Sequence, residues 1–123
     1  GLEKLQGQLS AFISTWTEDA TKSGTTATAT HAAESSKSHY IAGFSATSWD
    51  SMGGAGTSTI LIKDNTDIIM TFYVDNGISG DGNGITHSFS SPIQITEGNP
   101  CSIEINNGSS GDAVAANLWG FTS

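Results

Sequence analysis

The residues best suited to holding a metal ion lie in one glycine-rich stretch, Asp75 to Gly84. Within it, Asp75, Asp81 and Asn83 offer the hard oxygen ligands that Ca²⁺ prefers. No glutamate closes the stretch in the register of an EF-hand loop. Asp, Asn and Gly are also the residues that turns favour. The pattern therefore leaves two interpretations open, a weak calcium site and an ordinary turn.

Residues for nucleophilic or zinc chemistry are present but scattered. The chain has three histidines, which are His31, His39 and His87. They show no short ligand spacing, and Cys101 is the single cysteine, which argues against a zinc site. Ser45 follows Gly-Phe but lacks the second glycine of a nucleophile elbow. Because Cys101 lies in an alternating segment, it is predicted to be a small buried hydrophobe. We therefore predict no enzymatic activity and no cofactor.

Aromatic side chains offer another chemistry, the stacking of sugar rings. The candidates are Trp16, Trp49, Trp119, Tyr40 and Tyr73. Aromatic residues are also common in protein cores and in subunit interfaces. The sequence leaves a carbohydrate-binding platform open beside these two structural roles.

The charge of the chain restricts its partners. The formal net charge is −8, and Lys and Arg together number 4. Nucleic-acid binding needs clustered cations that displace counterions from phosphates. The four lysines are widely separated, so we expect no nucleic-acid partner. The same argument, together with the absence of a long apolar run, predicts no membrane partner.

The most apolar stretch of the chain is Ser58 to Val74, and its pattern is that of two strands. Two apolar runs, Thr59–Ile62 and Ile68–Val74, flank a joint rich in Asp and Asn, which predicts a tight hairpin turn. This hairpin is predicted to be central in the fold. Ile69 and Tyr73 make its second face apolar as well, so that face requires cover from the N-terminal segment or from another subunit.

Similar alternating runs occur along the rest of the chain. They cover residues 25–31, 39–49, 85–89, 93–95, 101–105 and 114–118. Turn residues separate them at the spacing typical of sandwich folds. Residues 25–123 are therefore predicted to form an antiparallel β-sandwich or jelly roll of about eight strands. In the second run, Tyr40 and Phe44 are predicted to share one face.

The N-terminal segment has a different periodicity. Its apolar residues recur at helical spacing and are Leu2, Leu5, Leu9, Phe12 and Trp16, with Ile13 beside them. This stripe predicts a short amphipathic helix or arm. Thr17 to Gly24 is predicted to be a linker, which gives an N-terminal unit of residues 1–24. Two roles remain open: packing on its own domain, or docking on a partner or sister subunit.

Four segments together resemble small virion proteins of tailed bacteriophages. They are Ser38–Ser48 (SHYIAGFSATS), Thr59–Asp64 (TILIKD), Phe89–Asn99 (FSSPIQITEGN) and Ala116–Thr122 (ANLWGFT). In that family a "yi-gi-as" strand, an "l-ikdg" hairpin, a "f--Pi--t-Gn" corner and a closing "-l-Gft" strand follow in this order. The resemblance spans about residues 25–123.

This resemblance implies a sandwich or jelly-roll module that decorates phage heads or builds virion appendages, often as a trimer. The expected protein is a capsid decoration protein on the virion exterior, with the major capsid protein and sister subunits as partners. The expected interface residues are the N-terminal apolar stripe with Ile69, Tyr73 and Trp119. The alternative is a carbohydrate-binding or host-recognition module of the virion.

Overall fold

The structure is a computed structural model that describes residues 14–22, 25–49, 56–75, 82–107 and 113–123. These residues form eight strands. In chain order they are β1 (Ser14–Lys22), β2 (Thr26–His31), β3 (His39–Trp49), β4 (Thr57–Asp64), β5 (Asp67–Asp75), β6 (Gly82–Gln94), β7 (Cys101–Asn106) and β8 (Ala113–Thr122).

The strands pair into two antiparallel four-stranded sheets. Sheet A has the order β1-β8-β3-β6, and sheet B has the order β2-β7-β4-β5. Successive strands mostly alternate between the sheets, and this is the strand order of a jelly roll. The predicted eight-stranded sandwich is confirmed for the described residues, although the eight strands are not the eight that the sequence predicted.

The core lies between the two sheets and follows the period of two that strands impose. Every second residue of β8 is buried, from Val114 to Thr122. The largest fully buried apolar side chains are Ile41, Phe44, Ile60, Ile62, Ile95, Ile103, Ile105 and Leu118. Burying a side chain of this size contributes about 1.5–3 kcal/mol. Cys101 is also buried, as predicted.

The N-terminal prediction is wrong for residues 14–22. These residues form β1, which pairs along its whole length with β8, so Trp16 lies opposite Gly120. The segment predicted to be a linker is therefore largely a strand at the edge of sheet A. Leu2, Leu5, Leu9, Phe12 and Ile13 lie outside the described residues.

A bulge in β3 changes which side chains share a face. The register of β3 shifts between Ile41 and Gly43 against both of its neighbours. Ile41 and Phe44 are consequently both buried, whereas Tyr40 lies on the outer face and stacks on Phe121. The prediction that Tyr40 and Phe44 share a face is wrong because one extra residue inverts the alternation.

The predicted hairpin is formed by β4 and β5, but it is not central. β4 is an inner strand of sheet B and β5 is an edge strand. Asn65, in the turn, adopts a φ of 56°, as the turn chemistry of Asn predicts.

The two short runs around Ser90 and Pro92 form one long strand, β6. β6 is an edge strand of sheet A. Its register skips residues 89 to 92, since Gly43 pairs with Ser88 and Ile41 pairs with Ile93. Proline is tolerated at such a position because an edge strand has one row of N–H groups that no ladder uses.

Candidate interaction surfaces

An apolar patch lies on the outer face of sheet B, and we call it the sheet-B patch. It comprises Leu61, Ile68, Ile69 and Tyr73. Ile68, Ile69 and Tyr73 are 56%, 38% and 68% exposed. Ile68 lies opposite Lys63, and Met70 lies opposite Ile62. Ile69, between them in the chain, is therefore the extra residue of a bulge. The bulge turns both isoleucines away from the core, so the predicted second apolar face exists and is uncovered among the described residues.

Charged groups border the sheet-B patch. Lys63 Nζ lies 3.6 Å from Glu104 Oε1, and Glu104 lies directly opposite Leu61 in the register. An apolar centre beside a polar rim is the arrangement found in subunit interfaces. Three large exposed apolar side chains lie on β5, and an edge strand can also pair with a second chain.

Trp16, His31, His39 and Thr122 form a second group, which we call the histidine cluster. The indole of Trp16 stacks on the His31 imidazole with centroids 4.1 Å apart. The His39 ring lies nearly perpendicular to the His31 ring, with centroids 4.4 Å apart. The cluster lies where β1 of sheet A meets β2 of sheet B, so it closes one side of the sandwich.

Hydrogen bonds assign the roles of the groups in this cluster. The Ala32 carbonyl accepts from His39 Nε2 at 2.8 Å, so Nε2 carries the hydrogen. His39 Nδ1 then accepts from the Thr122 hydroxyl at 2.6 Å, and that hydroxyl accepts from the Trp16 indole at 3.1 Å.

The histidine cluster resembles a hydroxyl–imidazole dyad, but its environment does not suit nucleophilic catalysis. His39 and Thr122 are 0% and 2% exposed. A substrate therefore has no access to the hydroxyl. Ser45 is also engaged, because its hydroxyl accepts a hydrogen bond from Asn117 at 3.0 Å. These contacts fit a structural role for both hydroxyl groups.

His31 has one satisfied and one unsatisfied ring nitrogen. Nδ1 lies 3.0 Å from Glu18 Oε1. Nε2 is buried and has no partner among the described groups. Trp16, predicted to be an interface residue, thus uses its indole for contacts within its own domain.

Trp119, the other predicted interface tryptophan, lies half-buried on the outer face of sheet A, opposite Gly43. A Cβ on Gly43 would overlap the Trp119 ring and approach the His87 carbonyl oxygen to 2.7 Å. Glycine at position 43 therefore lets the indole lie flat against the sheet.

A cleft of about 630 Å³ opens at one end of sheet A, and we call it the sheet-A cleft. The register places Thr21, Ala115, Thr47 and Gly84 side by side across the four strands. Trp49, 41% exposed, lies in the neighbouring row and also lines the cleft. Sequence reasoning named Trp49 as a sugar-stacking candidate but missed the cleft, which only the pairing of four distant segments creates.

The calcium candidates are only partly described. Asn83 donates from Nδ2 to the Asp75 carbonyl at 3.0 Å, and its Oδ1 accepts from Gly84 N at 2.9 Å. These bonds join the start of β6 to the end of β5. Asp81 lies outside the described residues. Within the described ranges, no group of three or more His, Cys, Asp or Glu side chains is placed to hold a metal ion.

The thiol of Cys101 is electrostatically disfavoured as a nucleophile. Burial, followed by the negative charges of Asp64 and Glu18, raises the pKa of Cys101 to about 12. The reactive thiolate is therefore scarce at neutral pH.

The part of the chain that the structure describes contains no helix long and apolar enough to cross a membrane.

Comparison with known proteins identifies no family. No protein-family profile matches the sequence, and no curated protein matches it. Among solved structures, PRD1 vertex protein P5 is 11% identical, with a TM-score of 0.47, and the match covers 85% of this chain and 94% of that one.

Two further structures show the same range of similarity. A chain of infectious bursal disease virus Gx strain is 18% identical, with a TM-score of 0.44, over 89% of this chain and 32% of that one. A family 4 carbohydrate-binding module is 12% identical, with a TM-score of 0.44, over 77% of this chain and 60% of that one. This chain thus spans less than two thirds of the length of both.

Proposed function

We propose that this chain is a structural virion protein that decorates the outer surface of a phage capsid, as its sequence resemblance implies. The observation that carries the proposal is the sheet-B patch. Tyr73, Ile69 and Ile68 are exposed together on an edge strand, and contiguous exposed apolar groups of this kind mark protein-interaction sites.

The occupant of the sheet-B patch is a second copy of this chain. Burial of three large apolar side chains per subunit favours association, and closed symmetry satisfies equivalent patches. We propose a homotrimer, the assembly common in the family that the sequence resembles. The major capsid protein is the proposed second partner.

The charge of the domain suits the outside of a capsid. With a net charge of −8, the chain is repelled by packaged nucleic acid. An exterior position avoids this repulsion. Several weak contacts between a trimer and a capsid lattice would add up to durable attachment. The proposed mechanism is association alone, without catalysis.

The oligomeric state provides the first test. Sedimentation velocity should show a concentration-dependent trimer for the unaltered chain and a monomer for the Ile69→Lys/Tyr73→Lys variant. Thr30→Lys is the matched control, because Thr30 is an exposed residue on β2, at the opposite edge of sheet B. A chain that is monomeric at every concentration, or a double variant that still forms trimers, would contradict the assembly.

Virion composition provides the second test. Mass spectrometry of gradient-purified particles should find this chain in a fixed, high ratio to the major capsid protein. A few copies per particle, or loss of the chain during purification, would contradict decoration.

The N-terminal stripe is the proposed capsid-docking arm, and the structure determines where it should be cut. Because β1 begins at Ser14 and includes Trp16, a deletion through Trp16 would remove part of sheet A. A deletion of residues 1–12 spares every described residue. That variant should fold, form trimers and fail to attach to capsids; full attachment would exclude the arm from docking.

Carbohydrate recognition is the second candidate function, and the observation that favours it is the sheet-A cleft beside Trp49. The two functions are compatible, because the cleft and the sheet-B patch lie on different sheets.

A further inference from the structure

The floor of the sheet-A cleft is formed by small residues. Thr21, Ala115, Thr47 and Gly84 form one row across sheet A, and Ala113 lies opposite Trp49 in the next row. Because these side chains are short, the backbone of sheet A forms the bottom of the cleft. The exposed ring of Trp49 forms one side of it. A flat ring beside a low floor suits a ligand with one apolar face.

The cleft also has hydrogen-bonding groups suited to a ligand rich in hydroxyls. Thr21 and Thr47 are exposed, and a hydroxyl can both donate and accept.

Charge selects among ligands that carry hydroxyl groups. The described side chains on the face of the cleft are uncharged, because Lys22 pairs with the buried Val114 and so lies on the other face of sheet A, and the chain as a whole has a net charge of −8. Binding of an acidic ligand would work against this field. The volume of about 630 Å³ lies within the range of roughly 300–1,000 Å³ typical of small-molecule sites.

We propose that the sheet-A cleft binds a short neutral oligosaccharide, with a sugar ring stacked on Trp49 and its hydroxyl groups bonded to Thr21 and Thr47. The proposal rests on the second candidate function and is independent of capsid attachment. It assigns the site and the ligand class: a neutral glycan, as distinct from a sialylated or uronate-containing one.

A glycan array containing neutral and acidic oligosaccharides tests the ligand class. The unaltered full-length chain should bind neutral members and not acidic ones. Titration of the best neutral oligosaccharide should then change the tryptophan fluorescence. Silence across the array would overturn both the ligand class and the second candidate function, and a preference for acidic members would overturn the neutral assignment.

Two variants test the site. Trp49→Ala should weaken binding by about tenfold or more, because an aromatic stacking contact is lost. Thr30→Ala, which changes an exposed residue of β2 in sheet B outside both proposed sites, should leave binding unchanged. Thr47→Val keeps the side-chain shape and should weaken binding through the hydroxyl alone. If the chain binds neutral glycans and Trp49→Ala binds equally well, carbohydrate recognition stands and the cleft assignment fails.

Discussion

The side-chain amide of Asn99 donates a hydrogen bond to Oδ1 of Asp64 across 3.0 Å. Oδ2 of the same carboxylate accepts from the Thr96 backbone N–H at 3.0 Å and from the Thr96 hydroxyl at 2.7 Å. Asp64 ends β4, whereas Thr96 and Asn99 lie between β6 and β7. The carboxylate therefore fastens the β4–β5 hairpin to the β6–β7 connection.

Asp64→Ala should destabilise the fold in a pH-dependent way. Burial raises the pKa of Asp64, but the hydrogen bonds from Asn99 and Thr96 outweigh it, so the pKa lies below 3.8. A folded-state pKa below the unfolded one means that ionised Asp64 stabilises the fold above about pH 4 and loses this effect as the pH falls through the folded-state pKa. At pH 7 the substitution should cost about 1 kcal/mol, measured by urea unfolding.

The difference in unfolding free energy between Asp64→Ala and the unaltered chain should narrow at acidic pH. Glu34→Gln is the control, because Glu34 is an exposed carboxyl in the β2–β3 connection and its removal should change stability little. A cost for Asp64→Ala that is equal at neutral and strongly acidic pH would contradict the role of the ionised carboxylate.

The contacts of Asp64 explain why short sequence segments predicted the fold. Asp64 ends one segment that resembles phage virion proteins, and Thr96 and Asn99 belong to another. The remaining two segments meet as well, through the Tyr40–Phe121 stack and the Asn117–Ser45 hydrogen bond. The contacts between these segments connect strands and turns within the domain. The segments therefore predict a sandwich fold, and they say less about a binding partner.

The strand β1 could not be recognised because its position depends on a distant partner. Trp16, Glu18 and Ala20 alternate with exposed residues, which is a strand pattern. The helical spacing from Leu2 to Trp16 predicts a helix over the same residues, so the two patterns conflict. The pairing with β8 makes this segment a strand, and it joins residues about a hundred positions apart. The histidine cluster and the sheet-A cleft escaped prediction for the same reason.

His31→Ala should loosen β1. His31, at the end of β2, stacks on Trp16 and bonds Glu18, and both of these partners belong to β1. Loss of the stack should cost about 1 kcal/mol and should increase local opening of the edge strand. Limited trypsin digestion should therefore cut faster after Lys22, the last residue of β1.

His31→Phe separates stacking from hydrogen bonding. The ring is kept, while the Glu18 bond and the unsatisfied Nε2 are both removed, so cleavage after Lys22 should be slower than in His31→Ala. His87→Ala, at the other side of the sandwich on β6, should leave this cleavage unchanged. Equal cleavage of His31→Ala and the unaltered chain would show that the cluster does not hold β1.

Thr122→Val should destabilise the fold more than the similar size of the two side chains suggests. The Thr122 hydroxyl bonds both the Trp16 indole and His39 Nδ1, and valine leaves both groups unpaired. A buried polar group without a partner costs about 1–3 kcal/mol, so thermal unfolding should occur at a clearly lower temperature. Thr122→Ser keeps the hydroxyl and should lose much less; equal losses would assign the effect to packing and not to the hydrogen bonds.

Cys101 should be unreactive until the protein unfolds. Its thiol is buried, and burial together with the charges of Asp64 and Glu18 raises its pKa to about 12. Both factors suppress reaction, because reagents need access and attack the thiolate. At pH 8 in buffer, a disulfide reagent that releases a coloured thiol should label the chain only at the rate of unfolding. In denaturing urea the thiol should react at once, with its ordinary pKa near 8.5.

Asp64→Ala removes one of the charges and also weakens the fold, so it should speed labelling in buffer, whereas Glu34→Gln should not. Rapid labelling of the unaltered chain in buffer would contradict the buried position of Cys101 on β7.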